Sequence, residues 1–383
     1  MKNHYRGTPA VSRPKRSRPG LSTLDKGLTV LETVEKAAGP VTIQEAARTT
    51  GIQRLAVYRL LATLEKRGYV IRDDAKRYRP AGRRRRVLAG YAAPLAGNWF
   101  RVDLAASLRA AAGKSGVELM VLDTHEDDVA AAMESAERLV AAGADVVIFF
   151  QPVESIGHIM ADRLFHAQIP FITVERPIQG GVYYGANNYR AGKMAGVALG
   201  RFAKTAWKGR FDRVVLLETA PTSTNVQARV AGVLVGLTEV LGQIEESRVV
   251  HLDGKAHLES SQEAMSGLLR KIPAGTKLLI SGFNDLSAVG ALRAVRAAGR
   301  ENEVAIVGQN AAREGQVEIR RRNSRMIASV AYFPERYGPH LIRLATEIAA
   351  GRQVPPAMYT DHVVLDRRNI DRFYPRLAPD AGT

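Results

Sequence analysis

Residues 42–72 read TIQEAARTTGIQRLAVYRLLATLEKRGYVIR, and this stretch decides the architecture of the first part of the chain. Thr42-Ile43-Gln44-Glu45 has the Thr-x-x-Glu spacing of a capping box, in which two side chains satisfy each other's backbone N–H groups at a helix start. The short helix that opens there runs through Arg48. Gly51 closes it, because glycine enters the left-handed region without steric cost. A third helix carries Val57, Leu60, Leu61 and Leu64 on one face and stops at Gly68. Tyr69-Val70-Ile71-Arg72 and Tyr78-Arg79-Pro80 then suit two short strands around a turn at Asp73 to Arg77. Upstream, Leu24, Leu28, Leu31 and Val34 mark an amphipathic first helix that ends near Gly39-Pro40. Three helices followed by a hairpin make a winged helix-turn-helix, mainly α, over residues 21–82.

That order of elements is what reading a duplex requires, since the third helix must project a polar face into the major groove. With its apolar face assigned to the core, Arg54, Leu55, Tyr58, Arg59 and Lys66 are left outside or flanking, and Gln53 stands just before them. Arg takes a guanine edge bidentately, and an exposed Leu meets a thymine methyl. Lys76 and Arg77, in the turn between the strands, are placed for phosphates or the minor groove. Charge agrees with this reading. Of the net +17 on 383 residues, +14 falls on residues 1–88, with 21 Lys and Arg against 7 Asp and Glu; the other 295 residues hold 34 against 31. A local cationic excess of that size attracts phosphate polyanions through counterion release. Arg83, Arg84, Arg85 and Arg86 form an unbroken basic run in a linker at 83–87, placed to lie against phosphates. Residues 1–20, with Arg13, Lys15, Arg16 and Arg18 among prolines, read as a basic disordered tail.

Beyond the linker the composition changes. Val87 to Tyr91, Val117 to Asp123, Asp145 to Phe150 and Phe171 to Glu175 are apolar, β-rich runs, separated by helical patterns such as Val102 to Gly116 and Ala130 to Gly143. A second series begins at Arg213 to Glu218 and continues through Val249 to Leu252, Lys277 to Ser281 and Val304 to Val307. This alternation is that of parallel doubly wound sheets, and two similar α/β lobes are the economical reading. The chain has no cysteine, which removes disulfides, thiol catalysis and Cys-ligated metals. Gly185 and Gly192-Lys193 have the wrong spacing for a phosphate-binding loop, and Met194 stands where that loop needs Ser or Thr. His125-Glu126-Asp127-Asp128 reads as a solvated loop, so no metal, cofactor or catalytic group is expected. With no signal peptide and no run of ~18 apolar residues, a cytoplasmic protein without a membrane contact is expected.

Two family resemblances sharpen these readings. From Ser22 to Gly82, the run STLDKGLTVLETVEKAAGPVTIQEAARTTGIQRLAVYRLLATLEKRGYVIRD resembles the DNA-binding domain of IclR-type bacterial transcription regulators. Leu55-Ala56 stands where that family commonly has Ser-Thr, so two hydroxyls suited to phosphates are absent. Leu88 to about Tyr374 resembles the type I periplasmic sugar-binding fold, also used by LacI-like and ribose-binding-like proteins. The motifs GVELMVLDTHEDD, ERLVAAGADVVIFFQPVES, IPFITVERP, NNYRAGKMAG, ARVAGVLVGL, GFNDLSAVGALRAVRAAG and IASVAYFPERYG carry it in the right order. The resemblance implies a two-lobed domain over 88–375. The chain crosses three times, near Asn188, Tyr332 and Pro356, giving a first lobe of 88–188 and 333–355 and a second of 189–332 and 356–375.

It also implies a ligand cleft between the lobes. Asn98, Phe100 and Arg101, with Trp99 beside them, fall in the loop after the first strand where the family places a stacking aromatic and polar contacts. Glu175 and Arg176 match its acid–Arg pair, Arg229 the Arg of the second lobe, and Asn284 with Asp285 its Asn-Asp. Asn310 replaces a usual Asp and Tyr332 a frequent Gln. Arg101, Arg176 and Arg229 outweigh Glu175, so the sugar-like effector expected here extends to sugar acids and sugar phosphates. The whole then reads as a regulator, with double-stranded operator DNA and a small effector as partners and a homodimer as the working form. The rival is a solute-binding protein serving a transporter.

Overall fold

The computed structural model describes residues 22–81, 86–96, 99–125, 127–219 and 224–375. The tail at 1–20, Arg83, Arg84, Arg85 and Asn98 lie outside the described residues. The chain divides into two units, Met1–Arg85 and Arg86–Thr383.

The first unit contains α1 (Ser22–Lys36), α2 (Ile43–Thr50), α3 (Arg54–Lys66), β1 (Val70–Arg72) and β2 (Tyr78–Pro80). The capping box is present: Glu45 Oε2 accepts from the Thr42 N–H at 2.7 Å, and Thr42 Oγ1 accepts from the Glu45 N–H. Gly51 closes α2 at φ 70°. β1 and β2 pair antiparallel, with Ile71 opposite Arg79. Val30, Val34, Val57, Leu61, Val70 and Tyr78 form the core. The first helix sits differently from its apolar spacing: Leu24 and Leu28 are 59% and 50% exposed, because Val30 and Val34 set the buried line and Leu28 lies nearly opposite Val30 at 3.6 residues per turn.

The second unit begins with β3 (Leu88–Ala93), α4 (Trp99–Ser115), β4 (Glu118–Asp123), α5 (Val129–Ala141), β5 (Val146–Phe149), α6 (Glu154–His166), β6 (Phe171–Val174) and β7 (Val182–Ala186). It continues with α7 (Asn188–Ala206), β8 (Arg213–Glu218), α8 (Thr224–Leu241), β9 (Val249–Asp253), α9 (Leu258–Leu269), β10 (Leu278–Gly282), α10 (Asp285–Ala297), β11 (Val304–Asn310), α11 (Arg313–Arg320) and β12 (Met326–Ala331). α12 (Tyr337–Ala349), β13 (Ala357–Thr360), β14 (Val363–Asp366) and α13 (Ile370–Phe373) close it. Two six-stranded sheets result, ordered β13-β7-β6-β5-β3-β4 and β14-β12-β11-β10-β8-β9. All pairs are parallel except β12 with β14. Central strands such as Val146–Phe149 are buried throughout, as helices on both faces demand.

One boundary moves. β13 pairs with β7, Ala357 opposite Tyr183, so residues 357–360 extend the first lobe's sheet and the third crossing lies at Asp361-His362 rather than Pro356. A four-residue edge strand has too short a pattern to be read against the helix before it. α12 returns to the first lobe, where Ser107 Oγ accepts from the Gly338 N–H at 3.0 Å and donates to the Glu335 carbonyl.

In the second lobe α7 and α8 touch backbone to backbone. A Cβ on Gly192 would lie 1.9 Å from the Arg229 carbonyl oxygen, and one on Gly196 2.0 Å from that of Val233. Gly196→Ala is therefore expected to destabilise this unit by about 2 kcal/mol, since neither backbone can yield without moving its helix. Urea unfolding of wild type and variant checks it, and equal midpoints would show that the helices part freely.

Candidate DNA-reading face and ligand cleft

In the first unit, Val57 and Leu61 are buried and Leu60 and Leu64 pack beside them, which turns the other face of α3 outward. Gln53, Arg54, Leu55, Tyr58, Arg59 and Lys66 are all exposed, Leu55 by 61% and Tyr58 by 48%. Two basic groups and two apolar surfaces at the start of α3 suit base edges and thymine methyls. Lys76, at φ 60°, stands exposed in the turn between β1 and β2. Arg77 is less free: its Nε donates to Asp73 Oδ2 at 3.1 Å, while its backbone N–H donates to Oδ1. Arg86 is exposed.

In the second unit the candidate ligand residues cluster at the carboxyl ends of the parallel strands, where open α/β sheets bind ligands. Trp99, Phe100 and Arg101 are not on a loop, however. They form the first turn of α4, with Phe100 and Arg101 buried, and apolar spacing upstream of Val102 was too sparse to reveal it. Phe100 lies 6.2 Å from Phe150 and 5.7 Å from Tyr337, ring to ring, and the Arg101 guanidinium is 5.7 Å from the Phe150 ring.

Glu175 follows β6 at φ 61° and turns back on its own lobe. Its Oε1 accepts from the Tyr337 hydroxyl at 2.7 Å and from the Ala186 N–H at 3.1 Å, and Gly185 leaves room for this approach. Burial pushes its carboxyl above the usual range, against the Tyr337 hydrogen bond and the Arg229 charge. Burial also works against the charge on half-buried Arg176, which Glu154 favours and Arg229 disfavours.

Arg229 is the best-placed cation. Its Nε donates to Asn188 Oδ1 and its Nη1 to the Phe283 carbonyl, both at 2.8 Å. Its guanidinium lies 4.4 Å from the Phe283 ring and 5.4 Å from the Tyr332 ring. Asn188 opens α7 at the first crossing, so this guanidinium is bonded directly to a residue of the crossing.

Three expected ligand residues are engaged elsewhere. Asn284 caps α10: its Oδ1 accepts from the Ser287 N–H and its Nδ2 donates to the Ala256 carbonyl, both at 2.8 Å. Asp285 is wholly buried inside the second lobe, where its Oδ1 accepts from Ser329 Oγ at 2.7 Å against the bare backbones of Gly308 and Gly315. Burial raises its carboxyl well above the usual range. Tyr332 is 3% exposed, with its hydroxyl donating to Gln309 Oε1 at 3.1 Å, so it backs Arg229 instead of facing a ligand. Asn310, half-buried at φ 79°, does present an enclosed Oδ1 without a partner.

Other residues enter only through the fold. Phe150, Phe283 and the buried Gln151, whose Nε2 has no partner, lie just past strand ends. His362 stands at the third crossing: its Nε2 accepts from the Asn187 N–H at 3.1 Å and its Nδ1 meets the Ala331 carbonyl at 3.3 Å. One imidazole thus joins all three crossings. Among the described residues no group of three or more acidic or His side chains could hold a metal, and no helix is long and apolar enough to cross a membrane.

Comparison with known proteins agrees with this division. The model of a periplasmic binding protein domain matches residues 89–353, and that of an IclR helix-turn-helix domain matches residues 23–74. The chain is 24% identical over 237 residues to a D-ribose/D-allose-binding protein of Pseudomonas aeruginosa, covering 59% of this chain and 70% of that protein. It is 26% identical over 272 residues to a ribose import binding protein of Haemophilus influenzae, covering 70% and 87%. Among solved structures, a periplasmic solute-binding protein of an ABC transporter from Actinobacillus succinogenes, with bound D-allose, superposes at a TM-score of 0.63 with 18% identity, covering 74% of this chain and 99% of that one. With a two-lobed unit matched over most of its length and a helix-turn-helix unit before it, the chain belongs to the periplasmic binding protein family and carries an IclR helix-turn-helix domain at its N-terminal side.

Proposed function

We propose that the protein is a cytoplasmic, homodimeric transcription regulator whose operator binding responds to a sugar-like effector held between the two lobes. The observation that carries this reading is the hydrogen bond from Arg229 to Asn188, which ties a candidate ligand contact to the first crossing. A ligand that engages Arg229 then discriminates between lobe arrangements, and only such differential affinity shifts a conformational equilibrium. In a dimer, the arrangement it selects alters the spacing of two reading heads. Both domains belong to binding families rather than catalytic ones, which favours a regulator over an enzyme.

The relatives bind ribose or allose by name, so pentoses and hexoses are the first candidates here. Arg101, Arg176 and Arg229, set against the single carboxyl of Glu175, which burial pushes above the usual range, extend them to sugar acids and phosphates. Matched titrations of D-ribose, D-allose and their acids and phosphates decide between the two. Binding of the neutral sugar at least as tight as that of its anion removes the anionic half.

The regulatory reading is tested by fluorescence anisotropy of the chain on its upstream intergenic DNA, with and without those sugars. The expected result is specific binding, with an apparent Kd that one of the sugars moves by tenfold or more. Sugar binding without any specific DNA binding would instead favour the solute-binding role. Arg59→Ala is expected to lower specific affinity by about 1–3 kcal/mol with little effect on random DNA, whereas replacing Arg83 to Arg86 with Ser weakens both alike. An unchanged ratio of specific to nonspecific affinity in Arg59→Ala would remove that residue from base reading.

A further inference from the structure

The second lobe carries a concave site that the cleft does not use. A recess of about 550 Å³ opens between α7, the turn after α11, the start of β12 and the end of β14. It lies at the amino end of β12, at Met326 to Ala328, whereas the cleft lies at the carboxyl ends of the strands. Its floor is apolar, with Met194, Phe202 and Val364 half-buried.

Its rim is strongly basic. Five arginines and one aspartate line it, an excess larger than the +3 carried by all 295 residues beyond residue 88. Two of the charges are answered, Arg368 by Asp366 at 2.6 Å and Arg321 by Glu318 at 2.9 Å. Arg201, Arg322 and Arg367 have no ion pair among the described residues. Like charges gathered around a concavity repel each other until an anion answers them. Arg is suited to phosphate, which it grips with two parallel N–H bonds. The volume falls within the roughly 300–1,000 Å³ of small-molecule sites.

We propose that this recess is a second ligand site, which takes a small organic phosphate through Arg201, Arg322 and Arg367 and seats its apolar or aromatic body on the floor. The site is independent of the sugar cleft and of the regulatory reading, and both can fail without it.

The test uses the full chain at 150 mM salt and ATP carrying an N-methylanthraniloyl fluorophore, which combines polyphosphate with an aromatic body. The expected result is saturable binding at one site, competed by unlabelled ATP and weakened tenfold or more in Arg322→Ala/Arg367→Ala. Binding should be unchanged in the α3 variant Arg54→Ala/Arg59→Ala, and the similarly labelled adenosine, without phosphates, should bind at least tenfold more weakly. All five arginines are exposed, so the double variant is expected to melt like wild type, which a thermal scan confirms. Equal affinity in the Arg322/Arg367 variant, equal affinity for the uncharged nucleoside, or loss of binding in the α3 variant would each overturn the proposal. So would a variant that loses affinity for duplex DNA while the nucleotide never binds, because the arginines would then be serving a polymer backbone.

Discussion

Arg229→Ala is expected to weaken effector binding by roughly 30-fold to several thousandfold, the equivalent of about 2–5 kcal/mol for truncating a half-buried, hydrogen-bonded cation that meets the ligand. Three losses combine. The cleft loses a cation framed by the rings of Phe283 and Tyr332. Asn188 Oδ1 and the Phe283 carbonyl lose the donors they hold at 2.8 Å. The carboxyl of Glu175, already raised by burial, loses a favourable charge. Arg229→Lys keeps the charge but not the fork that reaches Asn188 and Phe283 together, so it should fall well short of rescue. Calorimetric titration of wild type and both variants with the tightest-binding sugar checks this. Wild-type affinity in Arg229→Ala would remove the residue from the cleft, while loss of binding with a collapsed melting transition would assign it to the fold instead.

The contrast between Arg229 and Asp285 shows what was legible in the chain and what was not. Periodicity exposes whatever neighbouring residues decide together: the capping box at Thr42 and Glu45, the outward face of α3, and the apolar strands at 146–149 and 278–282. It does not say which way a polar side chain at a strand end turns. Asn284 and Asp285 follow β10 as a plausible ligand pair, yet one caps α10 and the other enters a gap left by Gly308 and Gly315, 23 and 30 residues further on. Glu175 has the same history, since Tyr337, its partner, is 162 residues distant in the chain. The third crossing shifted for a related reason: β13 is defined by its pairing with β7, a contact across 174 residues.

His362 was invisible in the same way and sets the second large effect. Its Nε2 accepts a hydrogen bond from Asn187 and its Nδ1–H donates to the Ala331 carbonyl, so the ring must be neutral to hold both. It packs 5.0 Å from the Tyr332 ring and is 7% exposed. Burial pushes its pKa down from 6.5 to about 4; Arg229 and Arg190 also disfavour the proton, while the Ala331 carbonyl and Asp361 favour it. The sign follows from linkage. The unfolded chain takes up the proton near pH 6.5, whereas the folded one resists until about 4, so the stabilisation is complete above 6.5 and is lost as pH falls toward 4. The shift amounts to about 3 kcal/mol across that window, at 1.36 kcal/mol per pKa unit. His362→Phe keeps a ring against Tyr332 but cannot titrate, and it leaves Asn187 N–H and the Ala331 carbonyl unpaired. It should therefore be less stable than wild type at pH 7, with the gap narrowing by about 3 kcal/mol as the pH is lowered to 4. Urea unfolding of both proteins between pH 7 and 4, followed by the transition of the sugar-binding-type unit, measures that gap. A gap that stays constant with pH would mean that His362 takes up its proton at the same pH in the folded as in the unfolded chain, so that burial does not hold its ring neutral.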